Sequence, residues 1–224
     1  MQIFKIVLLT LLMTGLYAKD VKWQKLKPLH KYPASAFHLK DNIVVLEIRS
    51  YDTRNKPRVV RSIYKTPLKL LDTKLRKRFR NTLPIMSKKG DIHKDPTSLS
   101  EIHNAFTIDR SGGILRMNEI ADVTHYLGEI DTPAEAQLVL WLHNKHKGQQ
   151  YRKTSKGYEM IIKYEKFSDI TSDSIGEVCS EVRKVTDKAI INKKGQIISY
   201  KQVGISKKSE LSCLQVSPPM FEEK

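Results

Sequence analysis

The chain has 224 residues and carries 40 Lys and Arg against 24 Asp and Glu, a formal net charge of +16. Hydrophobic residues make up 40%, which excludes a disordered chain and suits one good-sized domain or two small ones. A field this positive attracts polyanions, so charge speaks here about partners and not about fold; because Lys far outnumbers Arg and is spread along the chain, compositional bias is the competing explanation.

The first eighteen residues have the layout of a secretory signal. Lys5 precedes an apolar run over 6–13, Ala18 stands before the charged pair Lys19 and Asp20, and the run is too short to cross a bilayer. Leu16 sits where a small residue is preferred before the cut, so an uncleaved anchor is the alternative. Removing 1–18 takes away only Lys5 and leaves +15. The chain is therefore expected in the periplasm or secreted, and not integral to a membrane unless the signal is retained. In an oxidising compartment two lone thiols in one small domain usually pair, which predicts a structural disulfide between Cys179 and Cys213, the alternative being two buried, unpaired cysteines acting as small apolar residues.

Residues 19–127 read as a mixed strand and helix half. Residues 43–49 are β-branched and apolar, with 59–64 as a partner strand across a turn at 52–57. Thr66 and Pro67 then offer a cap and a first helical residue, and Leu68, Leu71, Leu75 and Phe79 recur at helical spacing, predicting a helix over 66–81. Its other faces carry Lys69, Lys74, Arg76, Lys77, Arg78 and Arg80, with Asp72 as the only acid. Such a helix suits a polyanion or membrane surface, or else simply packs its stripe on the core. Residues 84–101 are polar and turn-rich, a loop and candidate boundary. Residues 104–109 and 114–117 form a hairpin whose turn, Ser111-Gly112-Gly113, is read as a tight turn in preference to an anion nest.

Residues 128–217 read as one helix followed by an antiparallel meander, with 218–224 as a tail. Thr132, Pro133 and Glu135 write a capping box. The helix runs to about 147 on an apolar stripe of Ala134, Leu138, Trp141 and Leu142, widened by Val139 and Leu140. Strands follow over 158–167, 177–191 and 196–205, with a turn at 192–195 and a last strand over 211–216. One capped helix (about 132–147) on an antiparallel sheet gives an α+β layout.

Three further constellations bear on function. The segment 136–158 holds Lys145, Lys147, Arg152, Lys153 and Lys156 and no carboxylate, flanked by Tyr151 and Tyr158. Interleaved cations and aromatics track a phosphate backbone, or cap a solvated hairpin tip. His143 and His146 stand three apart on the expected helix, as metal ligands would, but Lys145 and Lys147 repel a cation and no third ligand lies near in sequence. No nucleophile elbow, HExxH or reactive Cys occurs, and a carboxylate pair such as Glu129 with Asp131 is left as the alternative for catalysis. The expectation is an exported, non-catalytic envelope protein without a cofactor. Its basic surface would meet lipid head groups, lipopolysaccharide, a cell-wall polymer or an envelope protein, in preference to nucleic acid. An envelope hydrolase working through carboxylates or histidines is the alternative, and recognition of protein by strand addition to a sheet edge is a third reading.

Overall fold

A computed structural model describes residues 21–51, 57–85, 92, 102–144, 146–170, 177–206 and 210–215. The expected signal (1–18), the turn at 52–57 except Pro57, nearly all of the polar loop after 85, Lys145 and the tail lie outside those residues.

The fold is α+β, with two antiparallel sheets and three α-helices among the described residues. The first sheet comes from the N-terminal half: β2 (Ile43–Tyr51), β3 (Pro57–Tyr64), β4 (Ile102–Asp109) and β5 (Ile114–Met117), in the order β3-β2-β4-β5. The second begins with the short β1 (Gln24–Lys25) and continues through β6 (Gly148–Thr154), β7 (Gly157–Ile170), β8 (Glu177–Ile191), β9 (Ile197–Ile205) and β10 (Glu210–Gln215). β8 pairs with β7 along one edge; along the other it pairs first with β10 and then with β9. This is the expected C-terminal meander, with β6 added at its start.

Between the sheets lies α3 (Pro133–Asn144), preceded by α2 (Ile120–Leu127). Every described side chain of α3 from Ala134 to Leu142 is buried, on all sides of the helix. Its apolar stripe is widened into a whole circumference because both sheets cover it, the condition under which an apolar helix loses its amphipathic face. One cluster joins Leu46, Ile48 and Met117 of the first sheet, Leu138 and Leu142 of α3, and Met160, Ile162 and Ala189 of the second. The two halves of the chain therefore share a core.

The far face of the first sheet is closed by α1 (Thr73–Arg80). The helix expected over 66–81 begins later than its Thr-Pro signal suggested. Pro67 leads into a 3-10 turn at Leu68–Leu70, and the α-helical cap is Asp72, whose carboxylate accepts from the backbone N–H of Lys74 at 2.8 Å and Leu75 at 3.1 Å. An Asp cap three residues before Leu75 satisfies two donors that Thr66 could not reach. Phe79 is buried against Val45, Phe106 and Ile108, with Leu68, Leu71 and Leu75 beside them. The predicted stripe thus packs on the sheet, and α1 turns its charges outward.

That second core contains a buried ion pair. Arg49 Nε donates to Glu47 Oε1 at 2.6 Å, and the guanidinium lies between the rings of Phe79 and Phe106, 4.6 and 4.3 Å from their centroids. Arg49 also donates to the carbonyl of Phe79 at 3.0 Å, at the C-terminal end of α1, while Ser62 and Tyr64 donate to the free oxygen of Glu47. A buried pair survives only with its remaining valences met, and here both ions have partners.

Candidate anion-binding surfaces

The exposed side of α1 presents the first concentration of positive charge. Lys74, Lys77, Arg78 and Arg80 are exposed along the helix and Lys69 stands just before it, while Arg76 folds back onto Thr73 Oγ1 at 3.2 Å. The β4–β5 hairpin adds to it: Arg78 donates to the carbonyl of Gly112 at the hairpin tip, and Arg116 reaches the carbonyl of Leu83 at 3.4 Å. Arg110 is exposed on the same tip. The local acids are occupied. Asp72 caps α1, and Asp109 accepts from Ser111 Oγ at 2.6 Å and from the Gly113 N–H at 2.8 Å. Those two bonds hold the Asp109 carboxyl below the usual carboxylate range. The turn keeps its amide for its own Asp, and Gly112, at φ +84°, provides the left-handed residue it needs. It is a tight turn, as its glycines suggested.

The second cationic segment is divided by the fold. Its helical part ends at Asn144, and residues from Gly148 onward belong to β6. Arg152 is taken up by Glu159, directly opposite on β7, and lies 4.8 Å from the Trp23 ring centroid. Lys188 approaches the other Glu159 oxygen at 2.8 Å. Burial alone would raise the Glu159 carboxyl, but the hydrogen bonds and charges of Arg152 and Lys188 outweigh it and hold it below its ordinary value. Lys153 lies 5.8 Å from the ring of Tyr158, and Lys156 is exposed at the hairpin turn. Tyr158 is buried, its hydroxyl donating to the carbonyl of Asp131, and burial pushes the phenol up to about 12. It ties the start of β7 to the segment before α3, and its burial leaves no ring face open for stacking. Lys147 instead borders a cleft beside the end of α3.

His143 and His146 part company. The helix ends between them, so the spacing that would have aligned them on one face does not operate. His143 borders a cleft of about 770 Å³ with Lys40, His125, Glu129, Lys193 and Lys194, whereas His146 stacks on Tyr164 at 4.2 Å and borders a different one, of about 660 Å³. Glu129 and Asp131 also separate: Glu129 lies 3.5 Å from Lys193 Nζ, and Asp131 accepts from His38 Nδ1 at 2.8 Å.

Among the described residues the set that could present three ligand atoms to a metal is His38, Asp131 and Glu135, within 4.8 Å of one another. The capping box explains this cluster. One Glu135 oxygen accepts from the N–H of both Asp131 and Thr132 at 3.1 Å, the other from the N–H of His38. Thr132 Oγ1 accepts from the Glu135 N–H at 3.2 Å and donates to the carbonyl of Ala36 at 2.7 Å. Burial raises the Glu135 carboxyl despite these backbone donors. Desolvation pushes Asp131 the same way, but its bonds to His38 and Glu135 prevail and hold it low. The carboxylate that a cation would need is already committed to backbone N–H groups, so the cluster ties the 36–38 loop to the start of α3. His38 carries no local signal that foretells this role, because its partners lie more than 90 residues away.

Cys213 and Cys179 are direct partners in the β10–β8 register; their side chains lie outside the described residues. Opposed residues of an antiparallel pair have Cα atoms about 4.5–5.5 Å apart, inside the range a disulfide spans. Compared with protein-family models, with curated proteins and with solved structures, the chain matches none.

Proposed function

We propose that this is an exported, non-catalytic envelope protein whose α1 layer binds an anionic polymer or surface of the cell envelope. The observation carrying this reading is the composition of the exposed face. Lys69, Lys74, Arg76, Lys77, Arg78 and Arg80 are joined there by Arg110 and Arg116, while the neighbouring carboxylates, Asp72 and Asp109, are spent on backbone donors. Charge concentrated on one layer, where these cations outnumber Asp72 and Asp109, attracts an array of phosphates or carboxylates more strongly than the same charge dispersed. Export rests on residues 1–18 and is supported by the Cys179–Cys213 register.

The hydrolase alternative draws less support. The larger cleft has Glu129 as its one carboxylate and the smaller has none, while the adjacent pair Asp131 and Glu135 serves a helix cap. Strand addition has a specific feature in its favour, since β9 pairs only with β8 among the described strands and exposes Ile198, Val203 and Ile205. Irregularities in the β8–β9 register fall at Ile198 and Val203, and Lys201 is exposed between them. Bulges and edge lysines discourage pairing, which ranks this reading second.

Binding to heparin and to anionic vesicles, measured at low and high salt, tests the proposal. Affinity is expected to fall linearly in log–log form with salt, and a Lys74→Glu, Lys77→Glu, Arg80→Glu variant is expected to lose it. Equal binding by that variant, or binding indifferent to salt, would sink the reading.

A further inference from the structure

The smaller cleft lies on another part of the molecule, away from α1. It is formed where β1 and the following 3-10 turn (Leu29–Lys31) meet the end of α3, the start of β6 and the middle of β7. Its volume of about 660 Å³ falls in the usual range for small-molecule sites, roughly 300–1,000 Å³. Lys25, Lys147 and Lys163 border it from three separate strands and connections, with His30 and His146, and no carboxylate is among its lining residues. None of the three lysines has an ion-pair partner among the described residues. Cations drawn from distant parts of the chain onto one concavity focus the field there more strongly than the same charges on a convex surface.

A second, independent feature lies in its wall. Gln137 projects from α3, is 1% exposed, and its amide oxygen has no hydrogen-bond partner. An unmet buried acceptor costs about 1–3 kcal/mol, and its neighbours on α3 are apolar residues that pack without such a cost. The cleft thus combines an anion-attracting rim with a wall residue, Gln137, whose buried amide oxygen lacks an O–H or N–H partner. A hydroxyl meets this need well, because it can serve either end of the amide.

We propose that this cleft binds a small hydroxylated anion, a sugar phosphate or sugar acid in chemical class. Lys25, Lys147 and Lys163 would hold the acid group and Gln137 would take a hydroxyl. The site does not depend on the polyanion face of α1 and can stand or fall without it.

Titration calorimetry of the whole isolated chain at fixed ionic strength, with glucose 6-phosphate and glucuronate as probes and inorganic phosphate and glucose as controls, tests this. At least one hydroxylated anion is expected to bind more tightly than inorganic phosphate, and glucose not detectably. Gln137→Leu, close in size and suited to an apolar helix, is expected to weaken that probe by about tenfold, the equivalent of one hydrogen bond. It should leave inorganic phosphate unchanged. Lys147→Glu with Lys163→Glu, both at exposed positions, is expected to abolish binding of all anions while leaving the thermal transition in place. No saturable binding of either probe overturns the proposal. So does binding that survives both sets of changes but is lost in the α1 charge reversal, since the anion would then sit on the outer face.

Discussion

Glu159 shows how much a single exchange of partners can matter in so basic a protein. Two cations share one carboxylate, and their combined bonds override the desolvation that would otherwise raise it. An acid whose folded pKa lies below its unfolded value adds stability above the unfolded value and loses it as pH falls through the folded one. The protein is therefore expected to lose this contribution on acidification below about 4.5, the ordinary value for a glutamate. Glu159→Gln should be less stable than the parent at neutral pH and should lose less between pH 5 and pH 3 (roughly the window set by the unfolded carboxylate). Urea midpoints across that range decide it, and parallel curves for the two proteins would show that the pair contributes no linkage. Neither cation was assigned this partner from sequence, where Arg152 stood in a stretch without acids. The antiparallel register of β6 and β7 brings the acid from seven residues downstream.

Among the elements, α3 was the most legible and α2 the least. Thr132, Pro133 and Glu135 form a local capping signal, and the observed hydrogen bonds reproduce it. The helix Ile120–Leu127 has no comparable start: Glu119 makes no side-chain cap bond, and Ile120, Val123 and Thr124 are β-branched residues of modest helix propensity. It is held by tertiary burial of Ile120, Val123 and Leu127. The α3 cap also does more than a local box, since Glu135 accepts from the 36–38 loop as well. Thr132→Ala is expected to cost about 1 kcal/mol, as for other caps. Glu135→Ala strands three backbone donors and should cost about 3 kcal/mol. If denaturant unfolding ranks the two equally, the link to the 36–38 loop carries no energy. The end of α3 is less legible than its start: the apolar pattern points to about 147, whereas the helix stops at Asn144 and the sheet takes up the chain from Gly148, so His143 and His146 do not align on one helical face.

At the scale of the whole molecule, both sheets close on one helix, and cations gather in an outer layer on α1 and around a cleft beside the end of α3, among other exposed positions. The final strand is joined to β8 at its N-terminal half, where Cys179 faces Cys213 in register. A bridge there would close a loop of about 35 residues, for which chain-entropy arithmetic gives about 3–4 kcal/mol. Intact mass of the protein from its own cells is expected to rise by about 2 Da on reduction, and the reduced protein should unfold at lower denaturant. An unchanged mass would remove the disulfide and weaken the case for export together.

Read alone, the sequence determined what local chemistry can write: the α+β class, the capping box of α3, the glycine turns, the strands of the meander, and the excess of basic charge. Only the tertiary structure decided which charges remain available. Pairing Arg152 with Glu159, committing Glu135 to the His38 loop, burying Arg49 between two phenylalanines and assembling Lys25, Lys147 and Lys163 around Gln137 are all contacts between residues distant in the chain or on opposed strands. Periodicity and caps report on neighbours within a few residues. Whether a lysine is a free cation, a rim to a cleft or half of an ion pair depends on register and layer packing, which no local pattern encodes.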